Sequence, residues 1–476
     1  AVQYFGMGRT LVESSSEGDG SPGEDGSEDD AVDHLGDLQG TSIPQAVFNI
    51  VKNIVGEGML SLPAGVAAGT GLGLAIVILT LFGLALGYTF SVMGRACNVT
   101  RTKTHKGCGE ALSGPVFAQT MAVMCTLKTA STCLAYAIVL GDSYSRILHF
   151  FCWRDPFWTS RQVILLGITA LILLPLVLQR DLSCLSYASC VGVAGEIFVV
   201  GVMSARYLDG SYASPHGLYW NSTRAVDHPE FSSGTDVWHT SVMTFVLFGS
   251  MSTAFIAHYN APKFYSQMRK DRHPLQQPLR GRGRATTSRF NIAVGIGFCF
   301  AWVIYLWVMS VGYLTFGEAS EGLILNNYSE EDPWATAARV SIGFAVMFGF
   351  PLAFISLRDN TFSVFGLDEA NGGVFYAVTF ALLALITAAA CVLHDLGLVN
   401  SLGGAVFGAC ITLIFPGVLA YLASRQKDGA KEFSKLEGSA NLLLIGFGVV
   451  LLLVGSTVNV VQKCYPQLLH RSSAGS

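Results

Sequence analysis

Gly56-Glu57-Gly58 stands in the middle of Ala46 to Gly65, AVFNIVKNIVGEGMLSLPAG, a stretch apolar enough to enter a bilayer. A helix in lipid must satisfy its own backbone hydrogen bonds, and a carboxylate between two glycines weakens it where an interruption costs most. Freed backbone at that depth is tolerated only where it faces protein, water or a ligand. Half-helix N-termini near a membrane midplane hold the anionic group of a small solute. Val55, Gly56, Glu57, Gly58 and Met59 are therefore the first candidate binding residues; a Gly-kinked packing helix is the plainer alternative. A second patch rich in Gly and hydroxyls, Phe248-Gly249-Ser250-Met251-Ser252-Thr253 with Phe255 behind it, interrupts another apolar run. Taken alone it reads as small-residue helix packing. Paired interruptions at corresponding positions of two halves point instead to an inverted-repeat carrier with its site between them.

Four charged residues, Lys52, Glu57, Lys128 and Glu196, fall inside apolar runs. Burying each costs about 2.5 kcal/mol or more on insertion scales, so each needs a partner or a task. Lys52 either snorkels to the near surface or supplies a fixed or titrating charge, with Glu196 as its expected partner in a coupling pair. Glu57 suits a half-helix N-terminus, yet it would repel a bound carboxylate. It must point away, take a proton on binding, or select a cationic substrate. Lys128 receives no assignment, and His258 reads as a packing or helix-terminal residue. The eleven cysteines are scattered without a CxxC pair, which excludes a recognisable metal or redox motif. No cofactor, metal, nucleic-acid partner or hydrolytic constellation is expected, so the chain reads as a non-enzyme.

The elements that must position these residues are transmembrane helices. The chain has 476 residues, 51% hydrophobic and 13% charged, against about 25% charged in soluble domains. Apolar runs long enough to span a bilayer recur along it, continuous rather than alternating, which excludes a β-barrel. Eleven spans are expected, at about 44–66, 70–95, 114–142, 161–179, 184–207, 237–262, 290–316, 334–357, 373–393, 401–423 and 439–462, making a transmembrane domain over 44–462. Residues 463–476 form a short C-terminal tail. Residues 13–40 carry ten Asp and Glu and no Lys or Arg, so 1–43 reads as an acidic disordered tail. The chain opens on Ala rather than Met, from which a start further upstream is expected. With the tail cytosolic, eighteen Lys and Arg fall in inside loops, while the outside loops between spans hold only Arg146, Arg154, Arg161 and Arg224. Sequons at Asn221 and Asn327 then lie outside and are expected to carry glycans, while that at Asn98 lies inside. An odd number of spans puts the C-terminus outside.

Several stretches, in order, resemble the amino acid/auxin permease family. Asn49 to Pro63 is similar to its broken first helix, and Pro175-Leu176 with Leu182-Ser183-Cys184-Leu185 to its span four–five junction. Phe255-Ile256-Ala257-His258 with Phe264-Tyr265 resembles its sixth span, and Gly312-Tyr313-Leu314-Thr315-Phe316-Gly317 the end of its seventh. The resemblance implies an all-α LeuT-type fold, a 5+5 inverted repeat plus one helix with spans one and six broken. It also implies transport of amino acids. Two departures matter. An ungapped match puts Lys52 where sodium-coupled branches hold an Asn, as in proton-coupled branches, and span eight has no Ser or Thr between Ile342 and Phe354. The expectation is a sodium-independent, proton-coupled symporter of amino acids in the plasma membrane or a vacuolar or lysosomal membrane. A permanently charged Lys52 would give uniport or exchange instead. The alternatives from other classes are an amino-acid sensor with little transport and a non-transporting subunit of a membrane complex.

Overall fold

A computed structural model describes residues 41–464 apart from 152–154, 180–184, 232–236, 270–278, 369–370, 427–428 and 430–431. The acidic stretch, residues 465–476 of the C-terminal tail, Arg154, Arg180, Lys270, Arg272, Lys427, Lys431 and Leu182 to Cys184 lie outside the described residues, whereas Lys463 and Cys464 end α14.

The described chain is helical. In order it forms α1 (Ile43–Ile54), a 3-10 turn (Glu57–Ser61), α2 (Leu62–Ala67), α3 (Leu72–Thr100), α4 (His105–Ser113), α5 (Pro115–Phe150) and α6 (Arg161–Leu178). Then come α7 (Leu185–Leu208), α8 (Thr244–Ala254), α9 (Ala261–Arg269), α10 (Leu279–Phe316), α11 (Pro333–Phe365), α12 (Gly372–Val392), α13 (Leu396–Arg425) and α14 (Lys435–Cys464). Among the described residues, eight helices are long and apolar enough to cross a membrane: α3, α5, α6, most of α10, and α11 to α14. Their outer faces carry exposed Leu81, Leu84, Leu171, Phe300, Leu385 and Leu443. Apolar surface on that scale has no place in water, and it suits lipid.

Local chemistry sets the ends. Pro44 sits in the first turn of α1, and Ser42 Oγ accepts from Gln45 N at 3.4 Å. Ser434 and Glu437 form the Ser-x-x-Glu start of α14, with Ser434 Oγ accepting from Glu437 N at 3.0 Å, which moves that helix start ahead of residue 439. The end of α11 lies beyond residue 357, because Arg358 is not a loop residue. It is buried, donates to Val177 O at 2.8 Å, and its guanidinium lies 4.3 Å from the Phe375 ring centre.

Three packing groups frame the middle. α5 and α7 both lie along α11, α10 lies along α1 and α3, and α8 runs beside α13. One sequence expectation needs correcting. Phe248 to Thr253 is uninterrupted helix within α8, and the backbone leaves helix only after Ala254, through Phe255, Ile256 and Ala257. The small residues serve close packing: a side-chain carbon on Gly249 would collide with the Ser401 carbonyl, and one on Gly404 with the Gly249 carbonyl. Backbone against backbone at that spacing requires glycine.

Candidate functional site

α1 stops at Ile54 because Val55 and Gly56 are extended, at φ −70°, ψ 127° and φ −175°, ψ −165°. Any residue adopts these angles, so the break is not a strain effect. It leaves carbonyls at the end of α1 without helical partners. The second break leaves the same kind of orphan at Ala254. Tyr305, fully buried on α10, places its hydroxyl 2.7 Å from Ile54 O and 2.7 Å from Ala254 O. One hydroxyl thus sits between the ends of both interrupted helices, and its single proton donates to one carbonyl at a time. Its ring meets Phe255 edge-on at 4.7 Å.

Other polar contacts tie the same two segments. Asn260 Nδ2 donates to Asn53 Oδ1 at 2.7 Å. From α13, Asn400 Nδ2 donates to Ser61 Oγ at 3.3 Å, while Asn400 O accepts from Thr253 Oγ1 at 2.6 Å. Ser61 Oγ in turn donates to Gly58 O at 2.9 Å. The two glycines of the first break differ in purpose. A side-chain carbon on Gly58 would lie 3.1 Å from Ala254 Cα, so Gly58 is where the two breaks touch. One on Gly56 would meet nothing nearer than Glu196 Oε1 at 4.0 Å.

The charges converge on this space. Glu57 is buried in the 3-10 turn, and its carboxylate accepts from its own backbone N–H. It therefore occupies one of the donors expected to meet a ligand carboxylate. Lys128, buried on α5, is its electrostatic partner. Glu196 on α7 reaches Gly56 from the other side, and Glu57 is the charge that acts on it. Tyr136, one face of α5 away from Lys128, feels both carboxylates and lies 3.4 Å from where a side chain on Gly349 of α11 would begin.

The expected Lys52–Glu196 bridge is absent: Glu196 makes no ion pair among the described residues, and its Oε2 is enclosed without a hydrogen-bond partner. α1, which carries Lys52, lies along α10, and α7 lies along α11 and also meets α10, so both helices share a neighbour without the two side chains being bridged. Half-buried Lys52 has an interaction of its own. The charge that answers the break is Lys128.

Of the candidate residues, Val55, Gly56, Glu57, Gly58, Met59, Glu196 and Phe255 gather at the breaks. Of the α8 patch, Thr253 reaches the breaks through Asn400 and Ser61, and the rest packs against other helices. Phe248 packs on Phe82 and Phe447 at 5.5 and 5.3 Å, Gly249 on Ser401, Ser252 on Thr412 at 3.4 Å and Thr253 on Asn400, and Ser250 is wholly buried. His258 is a packing residue: its Nε2 lies 3.1 Å from Leu86 O and 2.9 Å from Thr89 Oγ1. Along α11 the stretch facing the region is apolar, with Met347 and Phe350 buried. Of the sequons, Asn221 is exposed. Asn327 is fully buried, its Nδ2 donating to Ala319 O at 2.7 Å and to Asp227 Oδ1 at 3.3 Å. In the folded chain that amide nitrogen is committed and enclosed, which leaves no room for the expected glycan in this conformation. Lys128 was visible in the sequence as a charge without an assignment. Tyr305, Tyr136 and Asn400 carried no signal that separated them from other residues of their helices.

The family model described as "Transmembrane amino acid transporter protein" matches residues 39–461. The chain is 25% identical to "Amino acid transporter AVT6E" of Arabidopsis thaliana, over 89% of this chain and 84% of that protein. It is 24% identical to "Sodium-coupled neutral amino acid transporter 7" of Mus musculus, over 93% of this chain and 89% of that one. It is 23% identical to "Putative sodium-coupled neutral amino acid transporter 11" of Bos taurus, over 88% and 84%. A match over nearly the full transmembrane region, on a helical chain with two interrupted segments meeting around buried charge, means that this protein belongs to the transmembrane amino acid transporter family.

Proposed function

We propose that the chain is a secondary transporter that carries amino acids without sodium and moves protons with them. The observation that carries this reading is the meeting of two helix breaks, at Val55–Gly56 and Phe255–Ala257, around Glu57, Lys128 and Glu196. Unwound backbone inside a membrane bundle is retained where a solute uses it. The site comprises Val55, Gly56, Glu57, Gly58, Met59 and Phe255. The proposal includes eleven spans in a LeuT-type 5+5 repeat, a cytosolic tail, and glycan at Asn221 alone.

Relatives in this family are named for sodium coupling, and the reading for this chain departs from theirs on two residues' worth of chemistry. Sodium wants oxygen ligands. Lys52 brings an ammonium to the position the resemblance assigns to a ligand, and α11 offers only apolar side chains from Ile342 to Phe354. Buried carboxylates beside the breaks are groups able to take a proton instead.

The test is uptake of labelled amino acids into proteoliposomes under imposed gradients. A proton gradient, inward at constant sodium, is expected to drive accumulation of a neutral amino acid by the wild-type protein. Lys52→Ala is expected to lose turnover or its pH response while still folding. Stimulation by a sodium gradient at constant pH overturns the coupling claim. Binding without any uptake would favour a sensor.

A further inference from the structure

The break region holds two carboxylates and one ammonium. Glu57 makes no ion pair among the described residues, but the Lys128 ammonium acts on it through space. Glu196, partly buried as a residue, is not answered: its Oε1 faces the open side of Gly56 at 4.0 Å, and its Oε2 is enclosed with no donor. The groups around it can be named element by element. The 3-10 turn offers Glu57, α5 offers Tyr136, and α10 offers Tyr305. α11 meets α7 through Ser341, against Gly195, and then has no titratable side chain from Ile342 to Phe354. Lys52, on α1, is engaged by an interaction of its own. Fully ionised, the cluster has one negative charge in excess, and an unpaired buried carboxylate is unfavourable until a cation or a proton reaches it.

Glu196 Oε1 faces the open side of Gly56, which is also the proposed seat of the substrate. Resting on the reading that the break binds an amino acid, we propose that Glu196 is a cation subsite that takes one positive charge with every substrate. A basic amino acid supplies that charge through its side-chain ammonium or guanidinium. A neutral amino acid leaves the carboxylate bare, and a proton fills the place. Basic substrates therefore enter without a proton and neutral ones with one, and the charge moved per substrate is the same for both.

The pairs arginine and citrulline, and lysine and glutamine, separate charge from shape. Binding to the full chain in lipid nanodiscs, measured by calorimetry at pH 5.5 and 7.5, is expected to show opposite trends. Citrulline and glutamine bind at least tenfold more tightly at pH 5.5. Arginine and lysine bind more weakly there, because the proton competes for Glu196. Glu196→Gln is expected to abolish both trends, leaving neutral binding independent of pH and basic binding at least tenfold weaker. Glu196→Asp keeps the opposite trends and serves if Glu196→Gln does not fold. In proteoliposomes, glutamine uptake is expected to acidify the lumen and lysine uptake not to. Parallel pH trends for charged and neutral partners, or opposite trends that survive Glu196→Gln, overturn the proposal and leave the amino-acid site standing. Failure of every amino acid to bind the wild-type protein overturns both.

Discussion

At the scale of single residues, the two glycines of GEG do different things, and they can be separated. Gly58 is held by contact: the nearest atom to an added carbon is backbone, Ala254 Cα at 3.1 Å, and backbone cannot swing aside. Gly58→Ala should push the two breaks apart and cost about 1–3 kcal/mol, as overpacking does. The measurement is the thermal unfolding midpoint of the detergent-solubilised protein, and an unchanged midpoint would contradict the contact. Gly56 is held by vacancy. Its angles suit any residue, and its only near neighbour is a carboxylate oxygen at 4.0 Å. Gly56→Leu should leave the unfolding midpoint close to wild type and weaken substrate binding tenfold or more, because the side chain enters the space proposed for the ligand. A destabilised but tightly binding Gly56→Leu would reverse the assignment of the two glycines.

At the scale of elements, the loop before α11 is anchored as firmly as a helix. Asp332 is fully buried and does three jobs at once. It caps α11 through Trp334 N at 2.9 Å, pairs with Arg206 at the end of α7 at 2.7 and 2.8 Å, and accepts from Tyr212 OH at 3.0 Å. Arg339, one turn and a half into α11, returns to the loop by donating to Tyr328 O at 2.6 Å and Leu325 O at 3.0 Å. These contacts hold α7 and α11 in register, and so fix where Glu196 meets the break. Removing one member of a buried ion pair leaves the other uncompensated, at about 3–5 kcal/mol. Asp332→Ala should lower the unfolding midpoint sharply and raise hydrogen exchange across 326–339. Asp332→Asn, which can still accept at the helix start, should recover part of the loss. Equal damage from both variants would mean that the cap contributes little. Nearby Asp227 is buried among Arg224, Glu321 and Asn327, and burial pushes its carboxyl up to about 6. Its folded value exceeds the ordinary one, so its protonated form favours this loop below that pH, and the contribution is lost as pH rises through about 6.

At the scale of the whole molecule, the loops containing Asn221 and Asn327 form one body. Ser222 Oγ and Ser329 Oγ lie 2.9 Å apart, and Asn327 reaches Asp227. Both loops must therefore be on the same side of the membrane, the outside in the proposed topology. Expression in glycosylating cells should give a single glycan, removed by Asn221→Gln and untouched by Asn327→Gln. A band that depends on Asn98 would invert the topology. Modification at Asn327 would mean that this loop opens during synthesis.

The sequence alone determined what depends on local chemistry. Helix positions followed from continuous apolar runs, since a backbone in lipid has no partner but itself. The first break followed from Gly56-Glu57-Gly58, and the need for partners at Lys128 and Glu196 from the cost of burying charge. Tertiary structure decided whatever depends on which helices lie side by side. Phe248 to Thr253 looked like a break because small and hydroxyl residues weaken helices and also let them pack; only the Ser401 and Gly404 backbones distinguish the two uses. Lys52 and Glu196 looked complementary in sequence, but although α1 and α7 both meet α10 no ion pair joins them among the described residues, and the ammonium that acts on Glu57 comes from α5. Asn327 reads as a sequon at any burial. Tyr305 is one aromatic among several on α10, and it becomes the link between two helix ends only because distant segments end at the same point.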